Sequence, residues 1–155
     1  MGELDKKLES LGYPLDRIPK PGAIYRRVSI DGTTAYVSGA VPFDGDELLH
    51  VGKVPSQISL EQAKEAAALC AANVLRMVMD EVGTLDRVER LLRLTGYVNS
   101  EPTFSDQHKV INGASKIMLA LFGDDAGLAA RSAIGVAQLP LGVAVEVEAI
   151  FKLKA

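Results

Sequence analysis

The stretch that most constrains the fold extends from residue 129 to residue 151, AARSAIGVAQLPLGVAVEVEAIF. Small or apolar residues alternate with others through both of its halves, which is typical of strands that are buried on one face. Leu139-Pro140-Leu141-Gly142 separates the halves, and Pro and Gly are residues that mark turns. The stretch therefore predicts two strands joined by a turn.

The charged residues of these strands fall on defined faces, because successive side chains of a strand point to opposite faces. If the turn closes a simple hairpin, residues 133 and 148 face each other; strands adjacent in sequence are neighbours about two-thirds of the time. Arg131, Glu146 and Glu148 would then line one face. Ala133 and Gly135 would leave space between them. This arrangement suits a polar ligand, whereas the simpler interpretation is an edge hairpin whose charges face water.

The clearest helix extends from Ser59 to Val82. Ser59 and Gln62 form an S-x-x-Q capping box at its start, and Gly83 follows its end. Its apolar stripe consists of Ala63, Ala66, Ala67, Cys70, Val74, Met77 and Val78. The many alanines indicate close approach to a sheet. The position of Cys70 in this stripe indicates a core residue and not a nucleophile.

The other predicted elements are a short helix at 2–11, a hairpin at 23–30 and 33–39, a loop at 42–56, a strand at 88–98 and a helix at 103–122. Asp31-Gly32 is a strong two-residue turn signal for the hairpin. Asn112-Gly113 interrupts the second long helix, and we interpret this glycine as a place where another backbone comes close. The order of elements predicts an α+β domain of two layers, a mixed β-sheet with two helices on one face.

Composition limits the cellular setting and the number of domains. A chain of 155 residues with 48% hydrophobic and 24% charged residues is typical of one soluble globular domain. We expect residues 23–155 to form this domain and residues 1–22 to form an N-terminal extension that packs on it. The sequence contains no run of about 18 apolar residues that would predict a membrane span. A single cysteine and the lack of a signal-peptide pattern favour the cytoplasm.

Charge and residue spacing argue against several kinds of partner. The net charge of −3 and an aromatic content of 5% give RNA little to bind or to stack on, so nucleic acid is an improbable partner. His50, His108 and Cys70 show no metal-ligand spacing. No Gly-rich phosphate loop occurs. We therefore expect the chemistry to come from Arg, carboxylate, hydroxyl and backbone groups, with no metal and no cofactor.

Three segments resemble the C-terminal signature of a known family, namely Ala130-Arg131-Ser132, Val136-Ala137-Gln138-Leu139-Pro140 and Val145-Glu146-Val147-Glu148-Ala149-Ile150. This is the reactive-intermediate deaminase family, also called Rid or YjgF and often labelled endoribonuclease L-PSP. The resemblance covers roughly residues 21–155. It implies a chorismate mutase-like fold and a homotrimer with three clefts at subunit interfaces. It also implies hydrolysis of enamine and imine acids to 2-keto acids and ammonia.

The signature residues suit this chemistry. Arg131 offers a planar fork to the carboxylate of a substrate. Glu146, with Glu148 as the second choice, can orient and deprotonate the attacking water. If both carboxylates share one face, their repulsion raises the pKa of one of them. A free imine is already electrophilic, so the reaction requires no cofactor.

The resemblance also implies substrate-binding residues. The family's aromatic residue on the first strand corresponds to Tyr25, and its Ser-Gly at the end of the second strand corresponds to Ser38 and Gly39. The backbone from Arg131 to Ala133 is expected to contact the substrate nitrogen or the developing charge.

Two departures from the family pattern indicate a divergent branch. The family commonly has Cys two residues after the Arg, where this chain has Ala133. Many members also carry an Asn after the middle strand, and Pro102 stands near that position, with Asn99 three residues earlier. A non-catalytic trimer that binds small carboxylates is the alternative function, because it would keep Arg131 without depending on Glu146. An endoribonuclease is the third.

Overall fold

The computed structural model describes residues 1–155. The three helices are α1 (Glu3–Ser10), α2 (Leu60–Val82) and α3 (Gln107–Gly127). The seven strands are β1 (Val28–Asp31), β2 (Thr34–Ala40), β3 (Phe43–Asp44), β4 (Glu47–Leu48), β5 (Val88–Asn99), β6 (Ala130–Val136) and β7 (Val145–Leu153). None of the helices combines the length and hydropathy needed to cross a bilayer.

Five strands form one mixed sheet in the order β1-β2-β7-β5-β6, and β3 and β4 form a small separate hairpin. β5 and β6 run parallel, whereas the other neighbouring pairs are antiparallel. Helices α2 and α3 pack on one face of the sheet, around a core cluster of 32 buried residues. The opposite face carries Tyr36, Tyr97, Ile134, Glu148 and Ile150 and is called the open face. The predicted α+β two-layer fold is confirmed.

The predicted β6–β7 hairpin is wrong, because β5 lies between these two strands. Helix α3 connects the end of β5 to the start of β6, and this crossover places β6 parallel to β5. β7 pairs with β5 on one side and with β2 on the other. Ala133 therefore pairs with Gly96 and not with Glu148.

The connection from β6 to β7 is a crossing loop and not a tight turn. Residues 137–144 pass the end of β5, where the side-chain amide of Asn99 donates a hydrogen bond to the Val143 carbonyl (3.1 Å). The Gly52 N–H donates to the Gly142 carbonyl (2.8 Å). Left-handed backbone at Leu141 (φ 62°) and Gly142 (φ 70°) reverses the chain. Pro and Gly in this segment thus mark a turn, but they do not determine whether the two strands that it connects pair with each other.

Helix α2 follows its sequence signals closely. The Gln62 N–H donates to Ser59 Oγ (3.1 Å), and the Ser59 N–H donates back to the Gln62 side chain (2.9 Å), which completes the capping box. Gly83 ends the helix in the left-handed region (φ 89°). Cys70 is fully buried in the core, as predicted.

Helix α3 confirms the role assigned to Gly113. A Cβ atom at this position would lie 2.1 Å from the carbonyl oxygen of Lys64, so α2 and α3 pack with their backbones close together. The helix begins at Gln107 and not at residue 103, and it continues past a break at Gly123 (φ 80°). The predicted bounds were wrong here because Asp106, and not Thr103, precedes the first helical residue.

The N-terminal segment packs on the domain. Leu8 is fully buried in the core. The Asp86 carboxylate accepts hydrogen bonds from the N–H groups of Glu3 and Leu4 at the start of α1 (both 2.8 Å). Asp5 is buried and accepts a hydrogen bond from the Leu85 N–H (2.8 Å). Each of the two segments thus donates backbone N–H groups to a carboxylate of the other, and these hydrogen bonds fix α1 against the turn before β5.

The predicted first hairpin is shorter than expected. β1 begins at Val28, and residues 23–27 form no strand, so Tyr25 lies in the segment before β1 and not on it. Asp31 pairs with Thr34, which makes Gly32 (φ 59°) and Thr33 the turn residues, one position later than predicted. Exposed residues 23–26 have no buried face that would hold them in the sheet.

Candidate functional site

A cavity with a volume of about 760 Å³ lies beside the end of β2. Residues 18–23 and Tyr25 form one wall, called the N-terminal arm. The end of β2, strand β3 and the loop at Pro140 and Leu141 form the others. Glu146 and Glu148 of β7 line it from the open face of the sheet. Four residues expected at a site from the sequence, Tyr25, Ser38, Gly39 and Glu146, therefore line one cavity.

Glu146 lies directly over Gly39. A Cβ atom at position 39 would lie 2.4 Å from Glu146 Oε1, so only glycine leaves room for this carboxylate. The register of β2 against β7 shifts between Val37 and Ala40, and this bulge contains Gly39. The bulge places Gly39, which has no side chain, beside the Glu146 carboxylate at the cavity.

The two carboxylates of β7 have different surroundings. Burial and, second, repulsion from Glu148 raise the pKa of Glu146. Tyr97 Oη donates a hydrogen bond to Glu148 Oε1 (2.7 Å). This bond is the main reason that the pKa of Tyr97 is raised to about 12. Glu148 is therefore held by a phenol, whereas Glu146 makes no hydrogen bond to a side chain and fits the role of a base better.

Ser38 and Tyr25 make hydrogen bonds to the segment that precedes β1. Ser38 Oγ donates a hydrogen bond to the Arg26 carbonyl (2.6 Å), and the Ser38 N–H donates to the Arg27 carbonyl (2.9 Å). The Gly22 N–H donates to Tyr25 Oη (3.2 Å). The hydroxyl groups of both residues thus stabilise the wall that the arm contributes to the cavity.

Arg131 and Ala133 lie elsewhere. Arg131 pairs with the buried Leu94 of β5 and projects from the helix-covered face, opposite to Glu146. Its Nη1 donates to Asn112 Oδ1 (2.8 Å) and to Ser115 Oγ (3.1 Å), and its Nη2 donates to the carbonyl of His108 (3.0 Å). All three acceptors are neutral, so α3 fixes the guanidinium without neutralising its charge. Within one chain, Arg131 and Glu146 do not share a site.

Sequence reasoning missed several residues of the cavity and one residue that holds its carboxylate. Tyr97, which binds the cavity residue Glu148, was not singled out, because this contact depends on the pairing of β5 with β7. Residues 18–21 were interpreted as part of a packing arm and not as a wall of a cavity. Lys20 Nζ lies 3.9 Å from Asp46 Oδ1 across the cavity, and both side chains are almost fully exposed. Met77 was predicted correctly as apolar but not as a lining residue.

Asn99, which the sequence placed near the family's Asn position, has a different environment. It is buried and donates through Nδ2 to Gln138 Oε1 (2.7 Å), while its Oδ1 accepts from Lys53 Nζ (2.7 Å). These bonds occupy the amide at the end of β5, and they join β5 to the crossing loop. No three His, Cys, Asp or Glu side chains of the chain converge as a metal-binding group.

Comparisons with known proteins agree with this architecture. The profile of the YjgF/chorismate mutase-like family, whose description also carries an endoribonuclease label, matches residues 6–151. Protein TCP17 of Trypanosoma cruzi is 37% identical over 152 residues, which are 98% of this chain and 95% of TCP17. The crystal structure of Atu1372 from Agrobacterium tumefaciens, of unknown function, has a TM-score of 0.89 and 35% identity over 98% of this chain and 92% of that one.

A more distant structure, RidA from the Antarctic bacterium Psychrobacter sp. PAMC 21119, has a TM-score of 0.63 and 24% identity over 89% of this chain and 95% of that one. It shares the fold. Because TCP17 and Atu1372 align with 98% of this chain, both have counterparts for nearly all of the N-terminal segment.

Proposed function

The chain belongs to the YjgF/chorismate mutase-like (Rid) family, and on that premise we propose that it hydrolyses 2-imino acids to 2-keto acids and ammonia. The proposed site is a cleft between two copies of the chain. One copy contributes Glu146 and the cavity around it, and a second copy contributes Arg131. A homotrimer contains three such clefts.

The observation that carries the proposal is the complementarity of two separated regions. The cavity contains carboxylates and a base of raised pKa, but its only cation, Lys20, lies at the exposed mouth beside Asp46. Arg131 is held by neutral acceptors near the β6 edge of the sheet. A substrate carboxylate requires the cation, and the attacking water requires the base. Joining the two regions across a heterologous interface supplies both.

The residues have separate roles in the proposed reaction. Arg131 binds the substrate carboxylate and fixes the imine carbon near Glu146. Glu146 takes a proton from water while the oxygen forms a bond to the imine carbon, the π electrons of the C=N bond move to nitrogen, and the nitrogen takes a proton from the protonated Glu146. In the resulting carbinolamine the hydroxyl proton passes through Glu146 to the nitrogen, the C=O bond forms as the C–N bond breaks, and the keto acid and ammonia leave. The absence of a side chain at Gly39 leaves the space that the Glu146 carboxylate occupies at the cavity.

Mixed oligomers test the site between subunits. Arg131→Ala and Glu146→Gln chains with different tags are co-expressed, and oligomers that contain both are purified. Each variant alone is expected to be inactive. In a head-to-tail trimer that contains both variants, one of the three clefts combines an intact Arg131 with an intact Glu146, so activity should return to about a third of the wild-type level.

Mixed oligomers that remain as inactive as their parents, beside an active wild type, would place both residues in one subunit and refute the shared cleft. A wild-type protein that accelerates no imine but binds 2-keto acids would support the non-catalytic carboxylate binder instead. Sedimentation equilibrium checks the trimer independently, and a monomer at micromolar concentration contradicts it.

The endoribonuclease label requires a separate test. The net charge of −3 predicts that RNA binding is weak and is abolished by moderate salt. Cleavage of RNA by highly purified protein that resists salt and is lost in Arg131→Ala would overturn the imine-hydrolase proposal in favour of this label.

A further inference from the structure

The cavity beside Glu146 is much larger than a three-carbon imino acid. Its volume of about 760 Å³ corresponds to about 25 water molecules at ~30 Å³ each. It lies within the range of about 300–1,000 Å³ that is typical of pockets for larger organic ligands. A substrate with only a methyl group beyond the imine carbon would leave most of it filled with water.

The additional space has apolar walls. The apolar part of the lining includes Ile18, Pro19, Val41, Phe43, Met77 and Leu141. Leu141 is 62% exposed, and holding it in a left-handed backbone conformation keeps an apolar side chain at the cavity wall. An apolar surface of this kind gains free energy when a hydrophobic group replaces water against it.

A buried polar network fixes these walls in position. Arg76 is fully buried on α2, and its Nε donates to the Pro14 carbonyl (2.8 Å) while its Nη1 donates to Asn73 Oδ1 (2.8 Å). Asn73 Nδ2 in turn donates to the carbonyls of Val41 (3.0 Å) and Phe43 (2.8 Å). The side chains of Arg76 and Asn73 thus hold the backbone before the N-terminal arm and the backbone at β3 on the opposite wall.

A second contact secures the arm itself. Arg27 Nη1 donates to the Pro19 carbonyl (2.8 Å), and Arg27 Nη2 forms an ion pair with Asp80 of α2 (2.5 Å). The two prolines at 19 and 21 restrict the backbone of the arm further. The apolar walls are therefore preformed, which lowers the entropic cost of binding.

We infer that the substrate carries a bulky apolar side chain, which binds between the N-terminal arm and the β3 wall while its imine carbon lies at Glu146. This inference rests on the proposed function and specifies its substrate class. Residues of the N-terminal arm then select substrates by the size of the substrate's side chain. The small exposed side chain of Ala23, which also lines the cavity, leaves the space that such a group fills.

A series of imino acids tests the inference. D-Amino-acid oxidase generates the imines of alanine, leucine and phenylalanine in situ, and the protein's acceleration of ammonia release is measured for each. We expect kcat/KM to be at least tenfold higher for the leucine and phenylalanine imines than for the alanine imine, because each methylene in an apolar pocket contributes a factor of about 10 or more. Equal or better turnover of the alanine imine overturns the inference.

A matched pair of variants locates the side-chain pocket. Ala23→Phe narrows the cavity from the exposed arm, and Ala120→Phe adds the same group to an exposed position of α3 outside the cavity. Ala23→Phe is expected to lower kcat/KM about tenfold for the bulky imines and much less for the alanine imine. Ala120→Phe should match the wild type. An equal loss for all imines in Ala23→Phe contradicts a specificity role of the arm.

Binding separates a failure of this inference from a failure of the proposed function. If no imine is turned over, calorimetry with pyruvate and 4-methyl-2-oxopentanoate still decides the side-chain preference. Binding of the second that is tighter by tenfold or more supports the apolar pocket without catalysis. Equal binding, or tighter binding of pyruvate, overturns it.

Discussion

The Glu146 cavity and the Arg131 region differ in how their charges are compensated. In the cavity, burial and a neighbouring carboxylate act against the ionised form of Glu146. On α3, three neutral acceptors orient the guanidinium of Arg131 without an ion pair. The cavity supplies a carboxylate, and the Arg131 region supplies a cation that no carboxylate pairs with. In the proposed function these two regions, on opposite faces of one sheet, are complementary halves of a site.

The largest expected effect belongs to the carboxylate half. Glu146→Gln preserves the shape of the side chain but removes the base, so kcat should fall by about 10²–10⁴-fold while substrate binding changes little. Glu148→Gln is the matched control, since Tyr97 already binds that carboxylate. Steady-state kinetics on both variants show which of the two carboxylates acts as the base. A greater loss of kcat in Glu148→Gln would exchange the roles assigned to the two residues.

The cationic half should show a smaller effect of a different kind. Arg131→Lys keeps the positive charge but loses the planar fork and its bonds to α3. A charge-assisted hydrogen bond contributes roughly 1.5–3 kcal/mol, so kcat/KM should fall about tenfold or more. Affinity for 2-keto acids, measured by calorimetry, should fall in parallel. Unchanged affinity would show that Arg131 does not contact the carboxylate.

One glycine in each half sharpens the comparison. A Cβ at Gly113 would meet the Lys64 backbone, which cannot move freely, so Gly113→Ala should lower the free energy of unfolding by about 1–3 kcal/mol. A Cβ at Gly39 would meet only the end of the Glu146 side chain, so Gly39→Ala should displace the carboxylate and reduce activity with a smaller loss of stability. Urea unfolding and activity per folded molecule measure both. Equal stability losses would contradict this distinction.

The smallest expected effect is the pH dependence of stability. Because folding raises the pKa of Glu146, the folded state holds this proton more tightly, and its ionisation lowers stability as pH rises through the carboxyl range. Glu146→Gln lacks this loss. Its Tm relative to wild type should therefore increase between about pH 4 and about pH 7. A difference in Tm that stays constant over this range would show that burial does not act against the charged form.

Local signals in the sequence determined the presence and type of the helices and of the long strands, although not every boundary, since α3 begins at Gln107 and β1 at Val28. The capping box at Ser59, the glycine after α2 and the apolar stripe that contains Cys70 all involve residues within a few positions of one another. The alternation in β7 likewise identifies which of its residues are buried. These properties depend on the backbone period, which a sequence displays directly.

Tertiary structure alone decided which strands became neighbours, and with them the faces of the site. The same alternation fits β6 whether it pairs with β7 or with β5, since strand order depends on the crossover through α3 and on contacts distant in sequence. Because β5 lies between β6 and β7, Arg131 and Glu146 lie on opposite faces of the sheet, and Tyr97 contacts Glu148. The β2 bulge at Gly39 and the fold of the arm over the cavity have the same origin, because the packing of distant segments, and not a local period, fixes them.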